Sequence, residues 1–226
     1  NLSQGNKLFN GEILTRKLGS EDTPNRLIGE GGLPVWSPDG QKIVFMHIAG
    51  RKYQISIINA AGGGQKNLAI DDVVAPGNTM LPYNRLQTSE LSWSPDSAKI
   101  AYVSRKDGQH NIRLVNADNS ENVQLTSNME AKLYFYCPLW SADGKRLAFT
   151  SKTSVRARDG NSAFGVWITD VETQNSRQLT RQNSFLRLIG WTPKGDELLL
   201  ASAGKSGAFD LQTEVSLLRL QTESGD

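Results

Sequence analysis

Trp36-Ser-Pro-Asp-Gly-Gln-Lys-Ile-Val-Phe-Met46 reads as a tight turn followed by a strand. Pro38 sets φ at the first corner of a type I turn and Asp39 suits the second. Gly40 can take the left-handed conformation that lets two strands pair across the turn. The stretch returns as Trp93-Ser-Pro-Asp-Ser-Ala-Lys-Ile-Ala-Tyr, Trp140-Ser-Ala-Asp-Gly-Lys-Arg-Leu-Ala-Phe and Trp191-Thr-Pro-Lys-Gly-Asp-Glu-Leu-Leu-Leu. Where Ser97 replaces the glycine, a left-handed residue costs about 1 kcal/mol, which packing can absorb. The four tryptophans lie 57, 47 and 51 residues apart, near the length of one four-stranded propeller blade. Each offers a large apolar body and one N–H donor, and all four are expected in the core, wedged between sheets.

Working outward, each turn leads into a β-forming run: Lys42-Ile-Val-Phe-Met-His, Lys99-Ile-Ala-Tyr-Val-Ser, Arg146-Leu-Ala-Phe-Thr-Ser and Glu197-Leu-Leu-Leu-Ala-Ser. Apolar residues occupy both parities, so both faces of each sheet should be covered. A third strand follows at Gln54–Asn59, Asn111–Asn116, Val166–Asp170 and Val215–Arg219, and a short fourth around Asn67, Gln124 and Gln178. The unit is four strands, a to d from inside outward. Repeated four-stranded sheets with short hairpins predict an all-β fold, a β-propeller of antiparallel blades packed radially. A β-sandwich is the competitor, but it needs no identical turn in every unit. The expected blades are 33–70, 91–127, 138–182 and 188–226, with 1–32 holding outer strands of a preceding blade.

The pattern Trp-Ser-Pro-Asp-Gly-x-(Lys/Arg)-(Ile/Leu)-(Ala/Val)-(Phe/Tyr), followed by a third strand and a Gln-Leu-Thr ending, resembles the repeat of TolB-like β-propellers. It spans residues 33 to about 220 and is weakest in the fourth unit, where Thr192-Pro-Lys-Gly departs from it. The resemblance implies a six-bladed, extracytoplasmic or periplasmic, non-catalytic binding protein. Residues 12–29 resemble strands c and d of a blade whose a and b are missing, while the tail supplies a, b and c. The ring is therefore expected to be larger than this chain, completed by polypeptide beyond both ends or elsewhere in the same assembly.

Bulk properties fit a soluble globular domain. Of 226 residues 38% are hydrophobic, and 25 basic against 23 acidic side chains leave a net charge of +2. No strong field points to nucleic acid or anionic lipid. No apolar run reaches the roughly 20 residues of a membrane span, and the first residues carry no signal-peptide pattern. The lone Cys137 excludes an internal disulfide, has no Cys-x-x-Cys companion for zinc, and is expected buried or half-buried.

Candidate chemistry is sparse. Ala203-Gly-Lys-Ser206 lacks the companion glycine and following helix of a phosphate loop, and no Gly-x-Ser-x-Gly elbow occurs. His47 falls in a b strand and His110 in a b–c loop, so they form no motif. Asp71 and Asp72 could join a cation site, although adjacent acids more often solvate a loop. Lys152, Arg156, Arg158 and Lys205 form a modest basic group, with Tyr134, Phe135 and Tyr136 available to stack on bases, but the net charge argues against nucleic acid. No catalytic group, cofactor or metal is expected.

Loop length points to function instead. The a–b turns are all short, whereas the long segments 71–90, 127–138, 151–165 and 203–214 are d–a or b–c connections on the opposite face. Met80, Pro82, Tyr83, Arg85, Tyr134, Phe135, Tyr136, Arg156, Arg158 and Phe209 mix aromatic anchors with arginine, types enriched at interfaces. Equally, Tyr134, Phe135 and Tyr136 could tuck a crossover onto the blade below. The leading expectation is a non-enzymatic scaffold for a protein or peptide partner. The alternatives are an accessory, substrate-gating propeller resembling those of prolyl oligopeptidase-type peptidases, and a propeller binding carbohydrate or another small ligand at the channel mouth.

Overall fold

The computed structural model describes residues 11–19, 21–49, 52–68, 90–106, 109–128, 133–153, 164–182, 185–203 and 215–222. They contain sixteen strands and no helix. The first sheet holds β1 (Gly11–Thr15), β2 (Asn25–Trp36), β3 (Lys42–Ala49), β4 (Lys52–Asn59) and β5 (Lys66–Asn67) in that order. The second holds β6 (Leu91–Trp93), β7 (Lys99–Lys106), β8 (Gln109–Asn116) and β9 (Asn122–Gln124). The third holds β10 (Leu133–Trp140), β11 (Arg146–Thr153), β12 (Phe164–Asp170) and β13 (Ser176–Gln182), and the fourth β14 (Phe185–Trp191), β15 (Glu197–Ala203) and β16 (Val215–Gln221). Every pairing is antiparallel between chain neighbours, as blades built a to d require. The four sheets do not close a ring, so the architecture is that of a partial propeller.

The repeated turn is built as its residues dictate. Gly40, Gly144 and Gly195 have φ of 70°, 69° and 74°, and Ser97 takes 60° at the same place. Ser37, Ser94 and Ser141 donate through Oγ to Asp39, Asp96 and Asp143 at 2.5, 2.5 and 2.6 Å. Each serine oxygen also accepts the N–H of the residue opening strand b, as Lys99 N–H to Ser94 Oγ at 2.8 Å. The fourth turn has Lys194 where the others have aspartate, and the role passes to Asp196, which accepts from Thr192 Oγ1 at 2.7 Å. The departure in sequence is compensated two residues on.

Packing alternates with strand parity. Val44, Met46, Ile55, Ile57 and Leu68 of the first sheet meet Leu91, Trp93, Ile100, Tyr102 and Val115 of the second in one core. The other parity of the second sheet, Ala101, Val103, Ile112 and Leu114, meets Leu133, Phe135, Leu147 and Phe149 of the third. Ala148 and Val166 in turn meet Leu188, Leu198 and Leu200 of the fourth. Fully burying each such aliphatic side chain is worth roughly 1.5–3 kcal/mol, so the interfaces, more than any single sheet, hold the fold.

The tryptophans link these interfaces. Trp93 Nε1 donates to the Val35 carbonyl, Trp140 to Ser92 and Trp191 to Leu139, each at 3.1 Å. Each indole thus reaches the carbonyl one residue before the preceding repeat's tryptophan. Trp93 and Trp140 are buried, and Trp191 is half-buried beneath the Arg146 guanidinium, 5.2 Å from the ring centre. Trp36 corrects the expectation of four core indoles: it is 51% exposed, because no earlier inner strand stands among the described residues for it to pack on.

Two further differences concern strand limits. Residues 25–36 form one continuous strand, pairing through their first half with β1 and through their second with β3, so the outer strand of one unit runs directly into the inner strand of the next. Gly31 marks the passage; a Cβ there would come within 3.1 Å of Phe45 and 3.2 Å of Ile13. His110, expected in a loop, lies in β8 and is buried.

Candidate functional site

In the first three sheets the c–d turn is tied to its a–b turn by one backbone bond, Ala60 N–H to Gln41 O, Ala117 to Ala98 and Val171 to Lys145, and Thr222, just past β16, makes the same bond to Asp196 in the fourth. Both turn types therefore occupy one end of these sheets. The b–c and d–a connections leave from the opposite end, and the longest of them join Asn67 to Leu91, Thr153 to Phe164 and Ala203 to Val215. Of the expected interaction residues, Met80, Tyr83, Arg85, Arg156, Arg158 and Phe209 lie outside the described residues, as do Asp71, Asp72, Pro82 and Lys205.

The aromatic run Tyr134, Phe135 and Tyr136 is not loop but strand, in the first half of β10. Phe135 is 4% exposed and packs edge-on against Phe149 with centroids 4.7 Å apart, and tilted against Trp167. Tyr136 is 5% exposed. These two side chains take the core role that sequence reasoning weighed equally with an interface role. Tyr134 remains half-buried, with its ring 4.7 Å from that of His110 in a T-shaped contact. Lys152 stands over the Phe164 ring at 5.7 Å, a cation–π placement.

Behind this strand lies a group of polar side chains that loop reasoning did not find. Glu90, three residues before Trp93, is 5% exposed and accepts the Cys137 N–H through its carboxyl, while its Oε2 has no hydrogen-bond partner. Burial pushes its pKa up to about 7, with the Cys137 hydrogen bond opposing. His110, 3% exposed, has a hydrogen bond with the Phe135 backbone and no partner for Nδ1; burial, reinforced by the Arg105 charge, pulls its pKa down to about 4. Burial and the nearby Glu90 also push the Tyr136 phenol up. Asn128 ties the group together, donating Nδ2–H to His110 O at 3.1 Å and Leu133 O at 2.8 Å, while its N–H goes to Asn111 Oδ1 at 2.7 Å.

The one sequence signal for Glu90 was its place in the repeat. Leu33, Cys137 and Leu188 hold the same position before their tryptophans, and Leu33 and Cys137 take positive φ of 54° and 52° at a register shift in the inner strand. An acid at that buried place is out of pattern. The group brings an imidazole of lowered and a carboxyl of raised proton affinity together with the Cys137 backbone at an interior position between the second and third sheets. His47 is likewise structural, with Nε2 2.9 Å from Ser56 Oγ, which donates to Asn67 Oδ1. Among the described residues no group of three or more His, Cys, Asp or Glu side chains is placed to hold a metal ion.

Known structures share this arrangement. A protein described as TolB from Agrobacterium tumefaciens superposes with a TM-score of 0.62 at 19% identity, covering 92% of this chain and 70% of that one. The β-propeller domain of the Trilobed protease from Pyrococcus furiosus, described as having an open velcro topology, gives 0.59 at 14% identity, covering 93% and 63%. TolB from Acinetobacter baumannii gives 0.52 at 19% identity, covering 90% and 47%. At these identities the likeness is one of fold, and the chain spans only part of each. No curated protein matches the chain in sequence. The family described as the TolB beta propeller domain matches residues 33–224, the stretch that holds all four tryptophan turns, and the chain belongs to that family.

Proposed function

We propose that this domain is a non-enzymatic interaction module that binds a protein or peptide partner through the end carrying its long b–c and d–a connections. The observation that carries the reading is the asymmetry of the two ends. Among the described residues one end carries seven tight turns of repeated hydrogen-bonding design, four a–b and three c–d, whereas the other sends out connections of up to 23 residues, between Asn67 and Leu91. The expected contact residues Met80, Tyr83, Arg85, Arg156, Arg158 and Phe209 belong to those connections. Family membership supports an extracytoplasmic or periplasmic setting, and no helix among the described residues is long and apolar enough to cross a membrane.

Site-specific photo-crosslinking tests this. A crosslinker at Arg156 or Tyr83 should give one defined adduct in an extract of the source cell, and one at Gln41 or Lys145 on the tight-turn end should not. The adduct should vanish in Arg156→Ala/Arg158→Ala with an unchanged melting temperature. Equal adducts from both ends, or loss of the adduct only with loss of stability, would sink the proposal. A second reading, an accessory propeller of a larger peptidase, draws on the protease propeller among the similar folds; it requires a hydrolase domain with its own nucleophile elbow in the same polypeptide.

A further inference from the structure

The inner strands β6 and β10 are tied to each other by two hydrogen bonds whose donors both belong to β10. Nearer the tight turns, the Trp140 indole N–H reaches the Ser92 carbonyl. Nearer the long connections, the Cys137 N–H goes to the Glu90 carboxyl. The second tie has a local cause. β10 leaves its ladder with β11 between Tyr136 and Leu139, where Cys137 takes φ of 52° and Pro138 has no N–H to offer. The Cys137 N–H is left over by this bulge and needs another acceptor. Glu90 supplies it from the residue just before β6, where the longest connection ends. Its Oε2 has no hydrogen-bond partner among the described residues, although Glu90 is 5% exposed. A neutral carboxyl can occupy such a place at modest cost, whereas a carboxylate there keeps one oxygen desolvated and unpaired. The titratable groups beside it on β10 are the Tyr136 phenol, close enough to feel the Glu90 charge, and Cys137. On the other flank of β6, β2 brings only Leu33 and Val35. His110 of β8 lies against the Tyr134 and Tyr136 rings and feels Arg105 of β7. No cation among the described residues is placed to hold the Glu90 carboxylate.

We propose that Glu90 is a proton-operated latch between the second and third sheets. Protonated, its carboxyl holds the start of β6 to the bulge of β10. Ionised, it withdraws toward water and frees the Cys137 N–H, so the two inner strands part at the long-connection end while the Trp140 bond holds nearer the tight turns. The same repeat place holds Leu33, Cys137 and Leu188 elsewhere, so a carboxyl latch belongs to this interface alone. Its sign follows from proton linkage. Glu90 binds its proton at about 7 in the closed arrangement against 4.5 ordinarily. Closure is therefore fully favoured below about 4.5, weakens about tenfold per pH unit up to about 7, and levels off after a loss of roughly 300-fold. His110, whose pKa is pulled down to about 4, works in the opposite direction. An effect on partner binding rests on the reading of the long-connection end as a docking face; the opening itself does not.

Cys137 is the only cysteine, so isotope-labelled cysteine gives a single backbone amide signal in NMR, that of the latch donor itself. Its exchange with deuterated water is followed across the acid-to-neutral range in the full chain and in Glu90→Gln, which keeps an acceptor oxygen and cannot ionise. The ratio of the two protections removes the His110 contribution, which both chains share. That ratio should fall about tenfold per pH unit between about 4.5 and 7 and then level off, while the Trp140 indole N–H stays protected throughout. Should Glu90→Gln fail to fold, Glu90→Leu, with the side chain found at Leu33 and Leu188, serves as the non-ionising reference. A flat ratio overturns the proposal. So does protection that rises with pH, as it would for a carboxylate that tightens on the N–H, or simultaneous loss of the Trp140 indole, which would make the opening global. No partner enters this assay, so a flat ratio beside one-ended crosslinking removes the latch and leaves the docking face standing, and the converse pattern does the reverse.

Discussion

Glu90→Gln should change the pH dependence of stability in a way that separates the contributions of two buried groups, Glu90 and His110. The Glu90 carboxyl binds its proton more tightly in the fold, at about 7, than its ordinary value of 4.5. Its contribution is complete below about 4.5 and is lost as pH rises through 7, at about 1.4 kcal/mol per pH unit and about 3 kcal/mol in all. His110 works oppositely. Its pKa falls from 6.5 to about 4, so the neutral ring contributes fully above 6.5 and its contribution is lost as pH falls through 4, by a similar amount. Between about 4.5 and 6.5 the two slopes cancel, leaving the parent chain the slope that His47 adds, whose pKa burial also lowers. Glu90→Gln removes one of them and should lose about 3 kcal/mol on acidification from pH 6.5 to 4.5. Urea denaturation followed by far-UV circular dichroism at half-unit pH steps measures both curves. Parallel curves for parent and variant across that window would refute the reasoning.

Three further outcomes follow from named contacts. Trp93→Ala should cost about 3–5 kcal/mol, since it empties a buried site and strands the Val35 carbonyl, whereas Trp36→Ala at a half-exposed site should cost about 1 kcal/mol or less; comparable losses would contradict the open first interface. Gly40→Ala should destabilise by about 1–2 kcal/mol although nothing lies within 4 Å of the added Cβ, because the cost is the left-handed backbone itself; a neutral result in thermal unfolding would show the turn relaxing. Ser94→Ala removes the main hydrogen bond holding the Asp96 carboxyl below its ordinary range, and NMR titration should find that pKa moved back toward 3.8; an unmoved value would assign the depression to the backbone and Lys99.

The blades were legible because a propeller repeats a local decision. Ser/Thr-Pro-Asp-Gly closes its turn through the serine hydroxyl, the aspartate and a left-handed residue, all within a few positions of one another, and the following run shows its two faces by parity. Even the departure at Thr192-Pro-Lys-Gly was repaired locally, by Asp196. The candidate site was much less legible. Tyr134, Phe135 and Tyr136 read equally as loop anchors or as core, and only the pairing of β10 with β11 turns Phe135 onto Phe149.

The order of turns and strands, and with it the all-β repeated fold, was determined by sequence alone, because each element depends on residues a few positions apart. Only the tertiary structure decided which tryptophan is unlike the others and where charge is buried. Trp36 shares with Trp140 the following serine, aspartate and glycine but has no preceding inner strand among the described residues. Glu90 and His110 owe their displaced proton affinities to the desolvation of two sheets meeting, which no short stretch of residues encodes.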